Sequence, residues 1–302
     1  MNSQLSVTPT TKRPLLRLET VLILIGVVAL ALAPFYFYPI FLMKVLCFAL
    51  FACAFNLLLG YAGLLSFGHA AFFATGGYIT GYMLSSYSGL STELGILAGT
   101  LASTVLGALF GMLAIRRQGI YFAMITLALA QLVFFVFVQA PFTGGENGLQ
   151  GVPRGHLFGL VDMKNNMAMY YFVLAVFVLG FAIIQRTIHS PYGQVLKAIK
   201  ENEPRAISLG YDVNRFKLLV FVLSAAITGL AGSLKTVVLG FATLSDVHWT
   251  ASGHVVLMTL MGGMGTLSGP IVGSAIVVAL ENKIGDFGSF LAKLTGVEWF
   301  TT

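Results

Sequence analysis

The chain is poor in charge. Asp, Glu, Lys and Arg make up 9% of its 302 residues, against 57% hydrophobic residues and a mean hydropathy of +0.89. A soluble globular domain carries roughly 25% charged residues, so that class is excluded. Cysteine is scarce too: Cys47 and Cys53 stand six apart on one expected helix, about 9 Å along its axis and on different faces, which excludes a disulfide between them. There is no G-x-x-x-x-G-K-[ST], no H-E-x-x-H, no Cys-x-x-Cys and no G-x-S-x-G. The chain therefore offers no nucleotide site, cofactor site or catalytic residue of its own. Asp246, His248 and His254 cluster without a metal-ligand spacing, so no metal is expected. Carboxylates and arginines are nearly absent from the apolar stretches, which leaves a proton- or sodium-driven carrier without coupling groups and an intramembrane enzyme without a catalytic pair. The net charge of +6 reports which loops face the cytoplasm, not affinity for nucleic acid.

What remains is apolar sequence in runs of the ~20 residues that cross a bilayer. The runs are continuous rather than alternating, which argues against a β-barrel. The expected fold is an all-α polytopic membrane protein with about seven full transmembrane helices plus broken or re-entrant segments, solvated by lipid. Residues 1–17, with Lys12, Arg13 and Arg17 at their end, read as a cytoplasmic N-terminal tail before a retained first helix. Spans are expected near 18–38, 40–60, 93–115, 119–140, 169–185 and 216–240, with a Gly-rich stretch supplying the third crossing. Arg116-Arg117 and Arg186–Lys217 then face the cytoplasm, and 141–168 and 241–252 lie outside. Lys44 and Lys235, near outer helix ends, are read as snorkelling to the headgroups, and Glu281 as interfacial. The final KLTGVEWFTT stops on the outer side, and one further helix is expected beyond it.

Two stretches interrupt the helical pattern. Gly60 to Tyr82 holds six glycines, each costing roughly 1 kcal/mol against Ala in a helix. Close helix packing through small residues and a discontinuous helix beside a translocation path are compatible readings. The second stretch, Gly262 to Pro270, combines four glycines with a proline. Two half-helices or a re-entrant hairpin fit it best. Gly63-Leu-Leu-Ser66-Phe-Gly68 is faintly echoed by Gly265-Thr-Leu-Ser268-Gly269, and paired breaks in two halves point to a transporter path. The path candidates are Gly60, Gly63, Ser66, Gly68, His69, Gly262, Gly263, Gly265 and Ser268. His69 is the one ionisable group in the first break; a neutral imidazole bonding a freed carbonyl is the simpler reading of it.

Arg186–Lys217 concentrates six of the 17 Lys/Arg and three of the 11 Asp/Glu. Pro191 precedes a short helix over Gly193–Lys200, and Glu203-Pro204 opens another that Gly210 stops. A short Pro-started, Gly-stopped helix has the shape of a peg for a soluble partner; a solvated amphipathic loop is the plainer alternative.

Three blocks, GYAGLLSFGHAAFFATGGY, SPYGQVLKAIKENEPRAISLGYDVNRFKLLVFVLSAAITGLAGSL and LMGGMGTLSGPIVGSAIVVALENKI, resemble the LivM-type permease subunits of branched-chain amino acid ABC importers, in the family's order over roughly residues 40 to 300. The resemblance implies one permease domain over 18–302, in a bacterial cytoplasmic (inner) membrane. It implies a LivH-type permease partner, two cytoplasmic ABC ATPase subunits that bind the ATP, and an extracytoplasmic substrate-binding protein. It also implies that Glu201, Glu203, Arg205, Ala206 and Gly210 belong to an EAA-like coupling loop that docks on an ATPase. Family members continue into one more helix and a basic cytoplasmic tail. Related permeases that import urea or short amides share nearly the same blocks, so the class is better marked than the substrate.

Overall fold

The helix that begins at Pro39 is the most deeply buried of the long apolar helices. The structure, a computed structural model, describes residues 25–87, 89–157 and 161–295. Helix α1 (Ile25–Phe35) closes in a 3-10 turn, and Pro39 opens α2 (Pro39–Asn56), which runs on through a π-helical turn, Leu57–Ala62. Because α2 is apolar on every face it can be buried on every face. It contacts α6 (Asn166–His189), α9 (Val213–Leu239), α10 (Trp249–Gly262) and α11 (Gly269–Thr295). Helices α4 (Thr92–Ala114) and α5 (Ile120–Gln139) lie at the periphery and expose Leu97, Leu101, Met112 and Phe135 as a hydrocarbon-facing surface.

The chain is an all-helical multi-pass membrane protein. Among the described residues five helices, α2, α4, α5, α6 and α9, are long and apolar enough to cross a membrane. Their bounds fall within about four residues of those expected. The tail at 1–17, the start of the first span and residues 296–302 lie outside the described residues. The Gly-rich third stretch resolves into two parts. Its break is confined to residues 63–68, and α3 (His69–Ser86) is continuous beyond it. The later glycines serve packing: Gly76 sits on the backbone of Gly229, and Gly232 on that of Phe73, so a Cβ at either would collide with main chain.

The second break, expected over Gly262–Pro270, is non-helical from 263 to 268. Helices α10 and α11 pack against each other as a hairpin, with Pro270 in the first turn of α11. At 27 residues α11 is far longer than a half-helix.

The expected snorkelling of Lys235 is overturned. Its side chain is buried and pairs with Asp246 at 2.5 Å, because Asp246 folds back onto Thr243 in a capping box. Lys44 likewise turns to protein, 3.8 Å from Glu281. The 141–168 loop is knitted rather than loose. Strand β1 (Leu149–Gln150) pairs antiparallel with β4 (Phe241–Ala242), β2 (His156–Leu157) with β3 (Val161–Asp162), and Arg154 donates to Asn166 Oδ1 and Val238 O, each at 2.7 Å.

Candidate functional site

Two short helices occupy the Arg186–Lys217 block. Helix α7 (Pro191–Glu201) is capped by Ser190, which accepts from Gly193 N at 3.3 Å; α8 (Glu203–Ser208) by Asn202, which accepts from Arg205 N at 3.0 Å. Asp212 caps α9 in the same way. These Asn and Asp caps, which the prolines overshadow in the sequence, define the helix starts. Ala206, Ile199 and Val213 form a small core beneath the block. Lys217, only 3% exposed, donates to Glu203 at 2.7 Å. Tyr192 stacks on Phe216 and donates to its carbonyl at 2.8 Å, and burial pushes its phenol pKa up. The five candidate coupling residues therefore divide. Glu201, Arg205 and Gly210 are exposed; Glu203 and Ala206 face inward and fix α8 to the bundle. Ile207 and Leu209, apolar yet exposed at the tip, were not singled out from the sequence.

The block touches the first break directly. The π-turn leaves carbonyls at the end of α2 without intrahelical partners. Lys200 Nζ donates to one of them, Gly60 O, at 2.7 Å, and Lys197 lies over the Tyr61 ring. A cation on a helix C-terminus is favourable, worth about 0.3–2 kcal/mol. Gly63 then turns the chain with φ +72°, and a Cβ on it would press on the Lys200 stem.

The end of α2, just before the first break, meets the second break. Gly60 lies so close to the Gly265 backbone that a Cβ on it would stand 2.8 Å from Gly265 N. Beside it Asn56, 3% exposed, donates from Nδ2 to Thr266 O at 2.8 Å and accepts at Oδ1 from Gly265 N at 2.9 Å. The echoed glycines Gly63 and Gly265 share a conformation, whereas the hydroxyl partners do not follow the echo, Thr266 rather than Ser268 acting in the second break. Gly63 and Gly265 both take positive φ, and each break ends with a hydroxyl accepting from a glycine N–H: Ser66 from Gly68 at 3.2 Å, Thr266 from Gly269 at 3.1 Å.

The path candidates do not share one wall. Gly265 and Ser268 line a half-open cavity of about 740 Å³ with Tyr61, Phe181, Gln185 and Lys197. Gly63 lines another of about 460 Å³ with Leu65, Phe67 and Phe122. Gly262 and Gly263 make the hairpin turn, where Gly262 packs on Gly269 O. Ser66, Gly68 and His69 are buried. His69 bonds a serine rather than a freed carbonyl: Nε2 lies 2.9 Å from Ser224 Oγ, and Ser224 donates to Ala54 O at 2.6 Å. With its one proton committed, Ser224 must accept, so the Nε2–H tautomer is fixed. Phe55, Phe72 and Phe221 surround the ring edge-on. Among the described residues no group of three or more His, Cys, Asp or Glu is placed to hold a metal ion.

The sequence has relatives among permease proteins. It is 28% identical over 264 residues to the high-affinity branched-chain amino acid transport system permease protein LivM of Salmonella typhimurium, and 27% identical to that of Escherichia coli. Each match covers 80% of this chain, and the chain spans 62% of the length of either relative. A probable LivM of Methanocaldococcus jannaschii is 30% identical over 114 residues, 37% of this chain and 32% of its own. No solved structure matches the chain. The family model described as "Branched-chain amino acid transport system / permease component" matches residues 37–300, and the chain belongs to that family.

Proposed function

We propose that the chain is one of two membrane subunits of an ATP-driven importer for leucine, isoleucine and valine. In this reading it sits in a bacterial cytoplasmic membrane with its N-terminus inside, crossing seven times and adding the α10–α11 hairpin. Its partners are a LivH-type permease, two cytoplasmic ATPases and an extracytoplasmic binding protein. The subunit performs no covalent chemistry; it converts ATPase closure into alternating access.

The observation that carries the reading is the unbroken contact from the charged block to both breaks. Lys200 holds Gly60 O, Gly60 lies on Gly265, and Asn56 clamps the hairpin tip. An ATPase docked on the exposed Arg205, Ile207, Leu209 and Gly210 pushes α8, which Glu203 and Ala206 tie to α7 and α9. Movement of α7 then shifts the Gly60 carbonyl and, through it, the tip. Irregular backbone at membrane depth is tolerated where it is buried or lines a cavity, and residues of both breaks line cavities. Backbone groups freed there suit a zwitterion, which explains a path almost without charged side chains.

Reconstitution tests it. In proteoliposomes holding both permeases, the ATPases and the binding protein, radiolabelled leucine accumulates while ATP is hydrolysed. Accumulation without hydrolysis, or hydrolysis that moves urea and no leucine, contradicts the assignment.

A further inference from the structure

Three ionisable side chains meet on α2, α10 and α11, far from the charged block. Glu281 is the hub. Its Oε2 lies 3.8 Å from Lys44 Nζ, and its Oε1 lies 3.5 Å from His254 Nδ1. Both separations are longer than a good hydrogen bond. The side chains of Lys44, Glu281 and His254 are 27%, 38% and 58% exposed, so each retains capacity for a further partner.

In the importer reading the cluster lies below the membrane interface. Tyr36, Phe37 and Tyr38, all exposed in the α1–α2 turn, have the character of an interfacial aromatic belt. Lys44 follows Tyr38 by six residues, about 9 Å along the helix. A lysine can snorkel over that distance, but Lys44 reaches Glu281 instead, and the shorter glutamate has no such route. A carboxylate facing hydrocarbon at this depth is costly, so this face looks onto water or protein.

We propose that Lys44, Glu281 and His254 form an entry site for an α-amino acid zwitterion on its way to the hairpin tip; the proposal rests on the importer reading above. Lys44 takes the carboxylate, Glu281 takes the ammonium, and His254 orients the second Glu281 oxygen. The Lys44–Glu281 pair carries no net charge, so it suits a ligand that also carries none and presents both signs a few ångströms apart. A neutral amide offers neither sign and gains nothing here.

The test uses the complete transporter in proteoliposomes and reads leucine imported per ATP hydrolysed. Glu281→Gln and Lys44→Met are each expected to lower that ratio about ten-fold or more, the size of a lost charge-assisted bond. ATP hydrolysis stimulated by the binding protein stays near wild type in both. Lys44→Arg and Glu281→Asp, which keep the charges, retain most of the import. A wild-type ratio in both neutral variants overturns the entry site. So does joint loss of stimulated hydrolysis and import, or full rescue by exchanging the two residues, because either marks an ion pair that serves only structure. A wild-type complex that imports no leucine overturns the importer reading itself, and the entry site with it.

Discussion

The Asn56 side chain grips the backbone of the α10–α11 tip with both ends of its carboxamide, donating to Thr266 O at 2.8 Å and accepting from Gly265 N at 2.9 Å. It does for the hairpin what a strand neighbour does for an edge strand, supplying one donor and one acceptor to a segment that has left helical geometry. In a membrane those two backbone groups have few other partners.

Asn56→Ala therefore removes the partner of a part-buried N–H and a part-buried C=O, at about 0.5–1.5 kcal/mol each. A lower melting temperature for the purified protein and a loss of leucine uptake are expected. Asn56→Asp keeps the acceptor but turns a carboxylate oxygen on Thr266 O, and should be at least as damaging. Thermal unfolding in detergent and uptake in vesicles check both, and an unchanged Asn56→Ala protein contradicts the clamp.

Gly60 and Gly210 should respond to Ala in opposite ways. A Cβ at Gly60 meets Gly265 main chain and the Asn56 carboxamide, so Gly60→Ala must push the tip away and should abolish uptake. At Gly210 a Cβ meets open space, and the φ of +87° costs a side chain only about 1–2 kcal/mol. Gly210→Ala should keep most uptake. Gly210→Pro cannot reach positive φ and loses the bond from Gly210 N to Ile207 O, and it should abolish uptake with insertion intact. Equal uptake by the two Ala variants would show that contact at Gly60 is unimportant.

The Lys217–Glu203 pair is deep enough that removing one partner strands a charge. Breaking such a pair typically costs about 3–5 kcal/mol, and the 20% exposure of the Glu203 side chain puts this one toward the lower end. Glu203→Lys should dislodge α8 and abolish uptake while the protein still inserts. ATPase co-purification with the Glu203→Lys complex is expected to fall; normal co-purification and uptake would sink the docking assignment.

Tyr192 gives the block an alkaline limit. Burial raises the phenol pKa in the folded state above its ordinary value of about 10. Its stabilisation is thus complete below pH 10 and declines as pH rises beyond it, because the unfolded chain loses the proton first. Above pH 10 wild type should lose stability more steeply than Tyr192→Phe, measured by unfolding at matched ionic strength. Parallel pH profiles would remove Tyr192 from the account.

Much of this was legible in the sequence, for identifiable reasons. A bilayer demands long apolar runs, so α2, α4, α5, α6 and α9 show themselves within a few residues. Gly and Pro punctuate backbone, so the second break was legible from Gly262 to Pro270. Asn56 was not, because a lone amide in an apolar helix carries no mark of a partner 209 residues away. Lys200 was hidden among six cations of similar appearance, and only the fold shows that it reaches Gly60 O. Lys235 was misread because snorkelling and burial with Asp246 look alike until the α9–α10 link is folded. The first break was read too broadly, since glycines at a hinge and glycines at a helix crossing have the same letter.

The central claim is that α7 drives the breaks through Lys200, and the coupling ratio of Lys200→Met measures it most directly. In proteoliposomes with all subunits, ATP hydrolysis stimulated by the binding protein should persist while leucine imported per ATP falls at least about ten-fold, the scale of a charge-assisted bond. A Lys200→Met complex that imports leucine per ATP as wild type does would contradict it.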